Sequence, residues 1–175
     1  MVNDSGASLS YYHGPAGRLA AAHRLSRAFE ISAPWLRHHY DRFLTTVESI
    51  TPGDIKPGAL LDVMEGPAGL IIALRHHRDT RIRKLCHRLG LLLTDAASEG
   101  WGSKKVCALS RNASFAHDAG GMGTAVLIAA GMGADPDMVD SWRAAWEFEN
   151  TFKLEEGWND ARCPGDSHAT HWCHG

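Results

Sequence analysis

With 175 residues, 44% of them apolar and 22% charged, the chain has the length and composition of one globular domain, not of a disordered segment. A formal net charge of −2, without any Lys/Arg run, argues against a nucleic-acid partner. No apolar stretch approaches the ~20 residues of a membrane-spanning helix, and the first ten residues lack the charged-then-apolar pattern of a secretory signal, so a cytoplasmic location is expected. The cysteines, Cys86, Cys107, Cys163 and Cys173, form no C-x-x-C pair and read as free thiols or a metal ligand before disulfides.

In chain order, Gly14-Pro15-Ala16-Gly17 opens a first predicted helix through Leu19–Ala22. Leu36, Tyr40, Phe43, Leu44 and Val47 then fall on one face of a second. A long connection at Ile50–Met64 leads to Gly66-Pro67-Ala68-Gly69 and the segment Leu70–Leu74, which is apolar on every side and predicts a helix buried all round. Ile82, Leu85, Cys86, Leu89, Leu92, Leu93 and Ala96 mark an amphipathic fourth helix. After a second long connection, Ser98–Ala116, the segment Asp118-Ala119-Gly120-Gly121 opens a fifth helix, again apolar on all sides over Ala125–Ala130. Asp135 as N-cap and Pro136 at the first helical position begin a sixth, with Met138, Val139, Trp142, Ala145 and Trp146 on its apolar face. Lys153–Trp172 reads as a third long loop, and loops of that length are often functional. The tryptophans are core candidates, although Trp101 and Trp158 fall in loops and could line a groove; His38-His39 and His76-His77 read as solvated surface.

The openings at Gly14, Gly66 and Asp118 are spaced 52 residues apart, the signature of a repeat. Each G-x-x-G predicts a tight turn feeding a helix, its first glycine free to take positive φ, its proline in the first turn, and its second glycine allowing close packing. Asp118 replaces the first glycine, at some expected cost. Each unit pairs a buried inner helix with an amphipathic outer one, so the expected fold class is all-α, an incomplete α/α toroid of three helix-pair repeats at about 14–65, 66–117 and 118–172 within one partial domain, 1–175. Residues just before each inner helix then converge at one end, where helix N-termini carry partial positive charge: His13, Glu65, His117 and His174 stand immediately before the turn positions, Cys173 one place earlier, and Asp62 four before Gly66.

Leu61-Asp62-Val63-Met64-Glu65-Gly66-Pro67-Ala68-Gly69 resembles the D-V-x-x-G-x-x-G turn of lanthionine synthetase C-like domains. Ser114-Phe115-Ala116-His117-Asp118-Ala119-Gly120-Gly121 is similar to their F-A/S-H-G-x-x-G motif, Trp158-Asn159-Asp160-Ala161-Arg162 to the W-x-D-x-R stretch of class II synthetases, and Trp172-Cys173-His174-Gly175 to the start of their W-C-H-G-A-P-G motif. The resemblance runs from about residue 14 to residue 175.

That resemblance implies a cyclase domain that adds peptide cysteine thiols to dehydroalanine or dehydrobutyrine, forming thioether rings in a precursor peptide. It implies zinc, which lowers the pKa of the substrate thiol, with Cys173 as the first protein ligand. It implies His117 as acid/base and Asp62 as an orienting or proton-handling group. A later Cys-His-Gly motif would supply the other ligands, so the chain is expected to be a fragment, its missing repeats carried elsewhere, with a separate chain as one candidate. Three other readings stand beside it: a non-catalytic remnant that binds a peptide or partner; a local zinc site from Cys163, His168, His171 and Cys173; and an unrelated α/α toroid acting on glycosides, which would need paired carboxylates across the lumen where only Asp62 and Glu65 stand.

Overall fold

A computed structural model describes residues 11–12, 14–30, 34–48, 60–106, 114–155, 157–159 and 168–169. Six helices dominate: α1 (Pro15–Ala28), α2 (Pro34–Glu48), α3 (Pro67–Leu74), α4 (Thr80–Ala96, continued by a 3-10 turn at Ala97–Glu99), α5 (Ala119–Gly133) and α6 (Pro136–Asn150). α1, α3 and α5 pack side by side in one row, α2, α4 and α6 in a second, and each member of the first row lies against the helix that follows it in sequence. The fold is therefore all-α in two layers, as the repeat predicts.

The local causes differ in part from the expectation. Gly14, Gly66 and Asp118 are the N-caps of α1, α3 and α5, with nearly the same backbone at all three: φ −103°, −108° and −127°, ψ −176°, −174° and −166°. These are extended conformations open to any residue, so positive φ is not what the first glycine supplies, and Asp118 fits without backbone strain. The second glycine carries the constraint. A Cβ on Gly17, Gly69 or Gly121 would lie 1.7, 2.0 or 1.7 Å from the carbonyl oxygen of Tyr11, Val63 or Phe115, the residue six earlier in each case. The chain folds back onto the first turn of each inner helix, and only a hydrogen fits between.

α3 is buried along its whole length, as its all-round apolarity predicts. α5 is not: Ala125, Val126, Ala129 and Ala130 are buried, but Leu127 is 38% exposed. The outer helices bury the expected stripes, Phe43, Leu44 and Val47 on α2, Ile82, Leu85, Cys86, Leu89 and Leu93 on α4, Met138 and Ala145 on α6. Each Leu, Ile, Val, Met or Phe among them contributes roughly 1.5–3 kcal/mol by leaving water. Trp146 and Trp35 stand apart from this core, 54% and 60% exposed, whereas Trp101 is buried with its indole N–H donating to the Ser141 carbonyl at 3.0 Å. His77 is half-buried against His23, not solvated surface. Asp135 caps α6 through the backbone N–H groups of Asp137 and Met138, and Asp79 caps α4 through that of Arg81.

The segment read as a loop after residue 152 holds a small antiparallel sheet in the order β1-β2-β3: β1 (Lys153–Leu154), β2 (Gly157–Asn159) and β3 (His168–Ala169). Lys153 pairs with Trp158 and Asn159 with His168. Alternation over so few residues gives no readable strand signal. No helix among the described residues is long and apolar enough to cross a membrane.

Candidate functional site

The turns before α3 and α5 lie against each other, joined by the Val63 N–H donating to the Ala116 carbonyl at 3.0 Å. Each turn is closed from within by a side chain at the same repeat position. In the first, Asp62 Oδ1 accepts from the Glu65 N–H at 2.7 Å, and the Asp62 carbonyl accepts from the N–H groups of Gly66 and Gly69. In the second, Ser114 Oγ accepts from the His117 N–H at 3.1 Å and donates to Asp118 Oδ2 at 2.8 Å. Ser114 and Asp62 thus do the same structural work 52 residues apart.

A serine suffices for that work, and an aspartate leaves one oxygen over. Asp62 Oδ2 meets His117 Nδ1 at 2.8 Å. A carboxylate oxygen only accepts, so Nδ1 carries the hydrogen and Nε2 keeps its lone pair. Burial divides the two: the Asp62 side chain is 3% exposed and that of His117 28%. Asp62 is covered, whereas His117 is partly exposed.

A second buried carboxylate supports the same loop. Glu149, near the end of α6, reaches the start of α5 and accepts from the Gly120 N–H. It is 7% exposed, and burial pushes its carboxyl up to about 7; backbone hydrogen bonds oppose the rise and the charge of Asp118 adds to it. Sequence reasoning passed over both Ser114 and Glu149. The signals were present: Ser114 stands four before Asp118 as Asp62 stands four before Gly66, and Glu149 continues the apolar stripe of α6 four residues after Ala145.

Two of the three expected site residues, Asp62 and His117, are therefore in direct contact. The third, Cys173, lies outside the described residues, as do Cys163, His171, His174 and His13. Among the described residues no group of three His, Cys, Asp or Glu side chains is disposed to hold a metal ion, so this part of the chain does not by itself fit a zinc centre. Cys86 is a core thiol on α4, and burial pushes it up to about 12.

A groove of about 290 Å³ opens on the α1–α3–α5 row, with Tyr11, Val63 and Phe115 at its turn end and Arg24 and Arg75 among its other lining residues.

The chain is 27% identical over 128 residues to the Lacticin 481/lactococcin biosynthesis protein LcnDR2 of Lactococcus lactis subsp. lactis, an alignment covering 73% of this chain and 12% of that protein. It thus spans a small part of the length of the curated relative it matches. No solved structure matches it. A profile of the lanthionine synthetase C-like protein family matches residues 2–175, nearly the whole chain, and by that match the chain belongs to the lanthionine synthetase C-like family.

Proposed function

We propose that this chain is part of a lanthipeptide cyclase domain, acting in the cytoplasm on a precursor peptide, and that His117 is its acid/base with Asp62 as the residue that positions it. The supporting observation is the 2.8 Å contact between Asp62 Oδ2 and His117 Nδ1, which puts the hydrogen of a neutral ring on Nδ1, in a side chain that is 28% exposed. Family membership and the likeness to a lantibiotic biosynthesis protein support the reaction class.

In that reaction the cysteine sulfur of the peptide adds to the β-carbon of a dehydroalanine or dehydrobutyrine. The thiol proton leaves, an enolate forms, and the α-carbon takes up a proton, so the ring closes with no change in mass. His117 Nε2 receives the thiol proton, and the resulting imidazolium, held by Asp62, returns one to the enolate carbon. Positioned acid/base groups of this kind contribute roughly 10²–10⁴-fold. Zinc, when bound, makes a coordinated thiol a thiolate at neutral pH, and Cys173 is its expected ligand. We read residues 1–175 as part of one such domain, in repeats of about 14–65, 66–117 and 118–172.

The test is incubation of the protein with a dehydrated, cysteine-containing precursor peptide, followed by alkylation and mass spectrometry to count free thiols. The expected result is loss of free thiols without change in peptide mass, slowed at least ~10²-fold by His117→Asn. Undiminished ring closure in His117→Asn contradicts the assignment.

A further inference from the structure

The ends of α1 and α3 far from the Asp62–His117 pair carry a cluster of cations. α1 has Arg24 and Arg27 in its second half, and the residues after α3 read Arg75-His76-His77-Arg78. These groups act on one another. Arg75 is lowered by its partial burial and then by the charge of Arg24. His76 is lowered, after desolvation, by Arg75, Arg24, Arg27 and His23 together. His77 falls to about 4, through burial and then the neighbouring His23, whose ring centroid is 4.4 Å away. The carboxylate that opposes this at His77 is Asp79, and Asp79 is taken up by Arg81 at 2.9 Å. Among the described residues, none of Arg24, Arg27 and Arg75 makes an ion pair.

Arg75 is also held in place. Its Nη1 donates to the Ile72 carbonyl at 2.6 Å, one of the carbonyls left open at the end of α3. A guanidinium has five N–H donors, so most remain for a ligand. Arg75 and Arg24 both line the 290 Å³ groove, whose other end is formed by Val63 and Phe115, the chain neighbours of Asp62 and Ala116. α3 spans the distance between the two ends, about 12 Å for its eight residues. Two uncompensated guanidinium groups on a concave wall recognise oxyanions through paired, charge-assisted hydrogen bonds.

We propose that Arg24 and Arg75 form an oxyanion subsite at the far end of this groove, which takes a carboxylate or phosphate group carried on a peptide lying along the α1–α3–α5 row. Arg27 adds to the field. The subsite is read by binding alone and stands or falls separately from the chemistry assigned to His117. A bound anion offsets the charges of Arg75, Arg24 and Arg27 that help to lower His76 and raises its titration midpoint, which supplies a second readout.

The experiment titrates the full chain, by calorimetry and by NMR of the histidine ring protons, with three short Gly/Ser peptides that differ only in carrying glutamate, phosphoserine or glutamine. The acidic peptides are expected to bind at least ~tenfold more tightly than the glutamine peptide, with affinity falling as salt rises, and to move the His76 midpoint upward. Tighter binding of the phosphoserine peptide identifies a phosphate site, and parity with glutamate a carboxylate site. The double variant Arg24→Gln, Arg75→Gln should lose that preference, and Arg24→Gln alone, at an exposed position, should weaken it several-fold without disturbing the fold. Arg143→Gln on α6 should leave it intact. Equal affinity for all three peptides, an unmoved His76, or an equal loss in Arg143→Gln overturns the proposal.

Discussion

Gly121 and Gly131 lie on the same helix, α5, and replacing each with alanine should have opposite effects. A Cβ at Gly121 would stand 1.7 Å from the Phe115 carbonyl oxygen and 2.6 Å from the Val63 side chain, where ordinary contact begins at 3.4 Å. The first obstacle is backbone, so no rotamer change relieves it. The turn carrying His117 must move away from α5, and the Val63–Ala116 hydrogen bond that ties the two turns is strained with it. Overpacking that displaces backbone costs up to ~3 kcal/mol. At Gly131 nothing lies within 4 Å. Alanine there only removes the entropic cost of glycine in a helix and should stabilise by about 0.5–1 kcal/mol. Urea unfolding followed by circular dichroism separates the variants: Gly121→Ala should lower the midpoint sharply, and Gly131→Ala should raise it. A Gly121→Ala midpoint at or above that of the unsubstituted protein would refute the close-approach argument for the repeat.

Other outcomes follow from the same geometry. Glu149→Gln should change the pH dependence of stability: the folded-state pKa of about 7 lies above the ordinary glutamate value of 4.5, so the glutamate's contribution is full below about 4.5 and is lost as pH rises through 7. The protein should therefore lose on the order of 3 kcal/mol across that window, less in Glu149→Gln, and identical pH profiles would count against burial of a protonatable Glu149. Asp135→Ala removes the cap of α6 and should cost ~1 kcal/mol in a thermal or urea melt, whereas an unchanged melt would deny the cap. Asp62→Asn should slow ring closure by ~10²-fold or more while leaving peptide binding unchanged, because the amide no longer enforces the Nδ1–H tautomer; a loss confined to binding would contradict a positioning role. Cys86, buried and with its thiol at about 12, should resist alkylation in the folded protein, and rapid labelling mapped to it would show that the core opens.

The repeat was legible because it rests on strong local signals: proline at the first helical position, glycine where backbone meets backbone, and a 52-residue spacing that aligns them. The outer stripes followed from helical periodicity. The conformation at Gly66 was misread because G-x-x-G is compatible with either positive φ or close approach, and only the surrounding backbone distinguishes them. The exposure of Leu127 and Trp146 depends on which neighbours cover each face, information absent from a single helix. At the site, the motifs marked Asp62 and His117 separately. Their contact was not readable from either motif, because it is set by the bond between Val63 and Ala116 that brings two distant turns together. Glu149 was hidden by the habit of reading a glutamate at a helix end as solvated.

The most direct measurement of the central claim is ¹⁵N NMR of the His117 ring in the unsubstituted protein and in Asp62→Ala. The account predicts a neutral ring protonated at Nδ1 and bare at Nε2, with that preference abolished in the variant. A ring protonated at Nε2, or a tautomer indifferent to Asp62, would contradict it.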